Sequence, residues 1–233
     1  KRVLGIIPAR AGSKRVVGKN IKMLCKKPLI QWTIEAALGC DLIDNLIVST
    51  DDSAIATLSE KLGVTIPFLR PAHLSGDESS TIDFIEHAIN FYKEQNISFE
   101  YVLLLQPTSP LRDTSDILQA IELMDNKQAD AILSVCQAEH SPLWANQLDA
   151  SCSMDAFLKE EVKNLRSQDL PDFYRLNGAI YLVNAQRLLA EKTLFLSDNV
   201  FAYKMTREHS VDIDDEIDFL LAEVLLKNNT NLL

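Results

Sequence analysis

The feature that most constrains this chain is the alternation of short, wholly apolar runs with capped, amphipathic segments. Val3 to Ile7 is an apolar run stopped by Pro8, and the loop after it reaches about Asn20 and contains Gly12 and Gly18. Pro28 suits a helix first turn that Leu29 to Leu38 continues. Leu46-Ile47-Val48 is a second run, and Asp51, Asp52 or Ser53 can cap a helix to about Leu62. Ser80 and Thr81 can cap another carrying Ile82, Ile85, Ile89 and Tyr92. Tyr101 to Leu105 is a third run, ended by Gln106-Pro107-Thr108-Ser109-Pro110. Asp113 or Thr114 then caps a helix with Ile117, Ala120, Ile121 and Met124 at i, i+3, i+4 and i+7, and Ala131 to Cys136 is a fourth run. Runs that are apolar throughout are strands buried on both faces. The pattern therefore predicts an α/β fold, three-layer α/β/α with a mostly parallel sheet. Such sheets bind ligands beyond the carboxyl ends of their strands, which places Pro8, Asp51 and Gln106 on one crevice.

The rhythm breaks between about Glu139 and Arg175, a polar stretch with Pro142 and Pro171 and no clear period. It is long for a structureless loop, and Trp144, Met154, Phe157, Phe173 and Tyr174 argue against disorder. Residues 139–175 are read as an arm protruding from the single domain 1–233, for dimerisation. The core pattern resumes at Gly178-Ala179-Ile180-Tyr181-Leu182-Val183, and the chain closes in an amphipathic helix with Ile217, Leu220, Leu221, Val224 and Leu225 on one stripe.

No apolar run approaches the roughly 20 residues that cross a bilayer. The N-terminus has no apolar core or small-residue cleavage site of a signal peptide, although the numbering opens at Lys1, without an initiator Met. The expectation is a cytoplasmic protein with no membrane partner. Cys25, Cys40, Cys136 and Cys152 have irregular spacing and are expected to be free thiols; His73, His87, His140 and His209 form no zinc pattern. A net charge of −10 argues against nucleic acid as a partner. The charge is unevenly placed, however. Lys1 to Ile34 holds no Asp or Glu and nine Lys or Arg, which marks a local anion site.

Within that segment Gly12 lets backbone amides approach a phosphate, and Arg10, Lys14, Arg15 and Lys19 bring charge. The spacing is neither a Walker loop nor a dinucleotide fingerprint. Asp212-Ile213-Asp214, read as an extended strand, would turn both carboxylates to one face and Val211 and Ile213 to the core. Paired carboxylates suit Mg²⁺, while capping of the last helix by Asp214 or Asp215 is an alternative that can hold simultaneously.

Pro8-Ala9-Arg10-Ala11-Gly12-Ser13-Lys14-Arg15 followed by Gly18-Lys19-Asn20 resembles the nucleotide-binding signature of the acylneuraminate cytidylyltransferases, the CMP-sialic acid synthetases. The blocks at 49–52, 69–71, 77–81, 105–112, 177–181 and 211–214 resemble that family's blocks in the same order, so the likeness covers nearly the whole chain. The resemblance implies a Rossmann-type nucleotide-sugar transferase fold and transfer of CMP from CTP to a sialic-acid-like sugar, whether acylneuraminate, legionaminate or pseudaminate in type. It implies Mg²⁺ on Asp212 and Asp214, a homodimer, and a role in lipopolysaccharide or capsule synthesis. It places CTP on Arg10, Asn20, Arg70, Ser79 and Thr81, with Lys19 neutralising the leaving pyrophosphate. The sugar falls to Gln106, with Arg175, Asn177 and Tyr181 nearby. Arg166 matches an active-site arginine, but Ser167 stands where the family has a second, and an arginine pair is the natural fork for a sugar carboxylate. Lys26 stands where a glycine is common. Two alternatives stay open: a cytidylyltransferase for the eight-carbon keto-acid of lipopolysaccharide, and a catalytically silent binding or assembly relative.

Overall fold

A computed structural model of the chain describes residues 1–12, 16–76 and 79–228. Its sheet has the order β4-β1-β5-β7-β6-β8, formed by Asn45–Ser49 (β4), Val3–Pro8 (β1), Tyr101–Leu104 (β5), Tyr174–Asn184 (β7), Ala131–Gln137 (β6) and Val200–Met205 (β8). β7 runs antiparallel to β5 and β6, while the pairs β1–β4, β1–β5 and β6–β8 are parallel. The apolar runs have the predicted physical cause. In β1, Val3 and Ile7 enter one core while Leu4 and Ile6 enter the other, so both faces need apolar side chains.

The core on one face is closed by Leu29–Leu38 (α1), Ser53–Lys61 (α2) and Thr114–Lys127 (α4), through Ile30, Ile34, Ile55, Ile117 and Ala120. The core on the other face is closed by Thr81–Lys93 (α3) and Ala185–Glu191 (α5), through Ile82, Phe84, Ile85, Ala88 and Leu188. Each buried Ile, Leu or Phe among them contributes roughly 1.5–3 kcal/mol by leaving water. The caps match the sequence. Asp52 accepts from Ala54 N and Ile55 N, and both Ser80–Asp83 and Asp113–Asp116 are reciprocal capping boxes. Pro28 lies at the N-cap of α1, one residue before the predicted first turn.

Two expectations are corrected, and two elements were not foreseen. The last helix, Glu216–Asn228 (α6), buries Phe219, Ala222 and Leu226 against Leu24, Leu29 and Trp32, whereas Ile217, Leu220, Leu221 and Val224 of the predicted stripe are exposed. The periodic pattern was real, but a second, narrower stripe carries the packing. Residues 211–213 are extended without belonging to a ladder, since Ile213 N donates to Thr108 O rather than to a strand. β8 escapes sequence reading because it is an edge strand burying only Tyr203 and Met205. A short hairpin, Met23–Leu24 (β2) with Lys27–Pro28 (β3), precedes α1. Its turn holds Cys25 at φ 47° and Lys26 at φ 68°, so the position where a glycine is common does carry a left-handed backbone.

Residues 138–173 leave the sheet after β6 and return at β7 with only short 3-10 turns at Pro142–Trp144, Glu160–Val162 and Ser167–Asp169, and Val162 as their buried residue. Among the described residues no helix is long and apolar enough to cross a membrane. Cys25, Cys40, Cys136 and Cys152 are free thiols.

Candidate functional site

A cavity of about 660 Å³ opens beyond the carboxyl ends of β1 and β5 and takes Pro8, Arg10, Lys19, Asn20, Arg70, Ser79, Thr81, Gln106 and Asp214 into its wall. Every residue that the resemblance assigns to the cytidine nucleotide is among them. Lys14, Arg15, Asp77 and Glu78 lie outside the described residues. Asp51 does not line this cavity; its carboxylate accepts from Ala11 N at 3.0 Å and so anchors the loop after β1.

The loop is held from several sides. Asn20 is buried, and its Nδ2 donates to Arg10 O at 3.2 Å. Gly18 adopts φ 62°, a left-handed turn that starts the 3-10 turn Lys19–Ile21. Lys19 Nζ donates to Ile213 O at 2.8 Å, and Lys22 Nζ reaches Glu216 at 2.6 and 2.7 Å. Two lysines thus tie the basic loop to the acidic segment that precedes and begins α6. Arg10 Nη1 donates to Gly76 O at 3.4 Å across the cavity mouth.

Arg70 is 6% exposed and stacks over the Phe84 ring at 4.4 Å, with Nε on Ser49 Oγ at 3.0 Å and Nη2 on Ser49 O. Burial pulls its guanidinium down to about 10, against the field of Asp51, and it stays charged at neutral pH. Ser79 Oγ donates to His73 O at 2.9 Å, and Thr81 opens α3.

A second cavity of about 530 Å³ lies on the other side of the acidic segment, with Glu139, Arg175, Arg207, Asp212, Asp214, Leu221 and Leu225 in its wall. Asp214 belongs to both cavities. Asp212 points inward: burial pushes its carboxyl up, Thr108 and the field of Lys19 oppose that, and Asp214 adds to it. Its Oδ1 is buried without a hydrogen-bond partner. A carboxylate oxygen left in that state is what a hard cation would satisfy, so the pair fits Mg²⁺ by donor chemistry. The described residues hold one cluster of three ligand-type side chains, Asp113, Asp116 and His209, elsewhere. There His209 Nδ1 bonds Asp116 at 2.7 Å, Tyr203 donates to the same carboxylate, and Asp113 caps α4, so the cluster is already satisfied.

The sugar-side residues are brought together less completely. Gln106 and Asp212 both lie over Gly178, whose φ is 72°; a Cβ there would lie 3.6 Å from Gln106 Oε1 and 3.4 Å from Asp212 Oδ2. Tyr181 feels the Asp212 charge and packs edge-on to Phe195 at 6.3 Å. Arg175 faces the second cavity but grips Glu139 with Nε at 3.0 Å and Nη2 at 2.6 Å, which pulls the Glu139 carboxyl down to about 2. Asn177 is 1% exposed and its amide is spent internally, accepting from Ser134 Oγ at 2.6 Å and donating to Ser210 Oγ at 2.9 Å. It braces the turn that leads to Asp212 rather than facing either cavity. Arg166 is also apart: it lines neither cavity, is largely exposed and forms a fork with Asp169 at 2.8 and 3.0 Å. Sequence reasoning gave no site role to Glu139, Arg207, Leu221 or Leu225; for Glu139 nothing local in the chain signals Arg175, 36 residues away.

Residues 4–218 match the model of the family described as "Cytidylyltransferase". The chain is 34% identical to the CMP-N,N'-diacetyllegionaminic acid synthase of Legionella pneumophila, over 100% of this chain and 99% of that protein. It is 36% identical to the N-acylneuraminate cytidylyltransferase of Escherichia coli O18:K1:H7, over 95% of this chain and 51% of that one. It is 33% identical to the pseudaminic acid cytidylyltransferase of Campylobacter jejuni, over 97% of each. A solved structure titled CMP:2-keto-3-deoxy-manno-octonic acid synthetase complexed with CTP shares the fold at a TM-score of 0.72 and 16% identity, over 98% of this chain and 100% of that one.

Proposed function

Because this chain belongs to the cytidylyltransferase family, we propose that it transfers CMP from CTP to the anomeric hydroxyl of a nine-carbon, sialic-acid-like keto-sugar and releases pyrophosphate. The observation that carries the reading is the cavity in which Arg10, Lys19, Asn20, Arg70, Ser79 and Thr81 converge beside Asp214. Relatives at 33–36% identity are named for legionaminic, neuraminic and pseudaminic acids, while the eight-carbon enzyme shares only the fold. That contrast favours a nonulosonic acid over the eight-carbon acid.

The nucleotide occupies the first cavity, its phosphates against the loop after β1. Arg10 and Lys19 hold the triphosphate and stabilise negative charge as it builds on the leaving pyrophosphate. Lys19 exchanges its hold on the Ile213 carbonyl for a phosphate oxygen. Asp212 and Asp214 would hold Mg²⁺, which when bound neutralises phosphate charge and orients the α-phosphate. The sugar lies on the Asp212 side, with Gln106 and Tyr181 against it and Arg175 at the rim of the second cavity. Its anomeric oxygen attacks the α-phosphorus, the bond to the β-phosphate oxygen breaks, and the hydroxyl proton passes to solvent. Positioning dominates this chemistry. Arg166 reaches the sugar only after residues 139–175 rearrange or pair with a second copy. The exposed Leu148, Met154 and Leu165 of that arm support a homodimer. A cytoplasmic location is consistent with CTP as substrate.

The test is pyrophosphate release with CTP, Mg²⁺ and a panel of neuraminic, legionaminic, pseudaminic and eight-carbon acids. Release with one nine-carbon acid supports the reading. Release with the eight-carbon acid alone, or CTP binding without turnover on any, overturns it.

A further inference from the structure

Arg112 is a large, fully buried side chain at 1% exposure, yet among the described residues no carboxylate hydrogen-bonds it. Burying a guanidinium without a bonded counter-ion is costly, and an apolar residue of similar volume often packs as well or better. The desolvation pulls its pKa down to about 10, with Asp116 and Asp113 opposing through their fields. What the side chain gains is geometric. Nη2 donates to Gln106 O at 3.1 Å and to Thr33 Oγ1 at 3.1 Å, and Nε donates to Ala179 O at 3.2 Å. Nη1 has no partner.

These acceptors come from the loop after β5, from α1 and from β7. Gln106 and Ala179 carry, or flank, the corner where the Gln106 amide and the Asp212 carboxylate both lie over Gly178. One planar fork therefore holds two of the three backbone stretches at that corner, those of Gln106 and of Gly178-Ala179; the third, carrying Asp212, is tied to Thr108 O through Ile213 N. The nucleotide-side residues lie on other segments that Arg112 does not bond: the loop after β1, Arg70, and the start of α3.

We propose that Arg112 is a positioning residue for the acceptor sugar: by clamping the carbonyls of Gln106 and Ala179 it fixes the Gln106 amide against the Gly178 turn, and it bonds none of the residues assigned to the nucleotide. This rests on the reading that Gln106 contacts the sugar. Arg112→Lys keeps the buried charge but replaces a fixed fork by a point donor that cannot bond both stretches in plane. The expected result is a rise of about tenfold in the KM for the sugar, ~1.4 kcal/mol, with the KM for CTP within about twofold of the parent. A fold-wide defect would raise both together.

The experiment is steady-state pyrophosphate release with each substrate varied in turn, on the parent and on Arg112→Lys checked for native melting. A folded Arg112→Lys with an unchanged sugar KM, or with both KM values raised in the same ratio, overturns the proposal. If Arg112→Lys does not fold, Thr33→Ala removes one Arg112 acceptor, together with the long bond from Thr33 Oγ1 to Gln106 O at 3.5 Å, without touching either cavity. A rise of about threefold confined to the sugar KM supports the clamp, and equal KM values in folded Thr33→Ala overturn it. A parent that turns over no nine-carbon acid sinks the functional reading and the clamp with it; a parent that turns one over while the variants show no split sinks the clamp alone.

Discussion

Replacing Asp212 by Asn should stabilise the metal-free protein and abolish turnover. The Asp212 carboxyl is pushed up by burial, and its Oδ1 has no hydrogen-bond partner. An unsatisfied buried polar group costs roughly 1–3 kcal/mol, and more for a charge. Thr108 and the field of Lys19 offset part of that cost. Removing the charge while keeping the shape should therefore gain about 1 kcal/mol, which for a chain of this size is roughly 2–4 °C in Tm. The assay is thermal unfolding at pH 7 in EDTA, followed by the same scan with Mg²⁺ and CTP and by pyrophosphate release. The parent should gain stability from Mg²⁺ and CTP by mass action, the variant much less. A variant melting at or below the parent in EDTA would show that the Thr108 bond and the Lys19 field outweigh the cost of burying the charge. Turnover near the parent rate would remove Asp212 from the metal site.

Other expectations follow from the same geometry. Lys19→Met should lower kcat by about a hundredfold, read as pyrophosphate release at saturating CTP; a change in KM alone would make Lys19 a ground-state binder. Arg166→Ala should leave stability within about 0.5 kcal/mol, since its side-chain partner among the described residues is the exposed Asp169; a fall in kcat without a shift in Tm would show that the arm delivers it to the sugar. His209→Ala should cost about 1–2 kcal/mol near pH 6, because the half-buried imidazolium bonds Asp116. The sign is fixed by two opposite shifts. The His209 pKa is raised chiefly by its hydrogen bond to Asp116, so its contribution is full below 6.5 and fades as pH rises through the folded value. For Asp116, burial pushes the carboxyl up but the bonds from His209, Asp113 and Tyr203 bring it below its usual value, so its contribution is full above 3.8 and fades in stronger acid. The parent's advantage over His209→Ala should therefore peak between those limits, and an advantage still undiminished at pH 9 would contradict the pairing.

What the sequence determined by itself were the properties that act within one element. Apolar runs such as Val3 to Ile7 called for two covered faces, the cap candidates at 51–53, 80–81 and 113–114 marked helix starts, and an acid-free segment with nine cations pointed to an anion. The first cavity was legible in part: Pro8 and Gln106 follow strand ends, whereas Asn20, Arg70, Ser79 and Thr81 were reached through the family resemblance. The tertiary structure alone decided everything that depends on a distant partner. It chose which stripe of α6 is buried, because Leu24, Leu29 and Trp32 meet Phe219 rather than Leu220. It tied Arg175 to Glu139, spent Asn177 on Ser134 and Ser210, and left Arg166 out on Asp169. It also buried Arg112 beneath Gln106 and Ala179. Side-chain type tells which bonds a polar group can make; only the packed fold decides which partner is within 3 Å and which water is excluded.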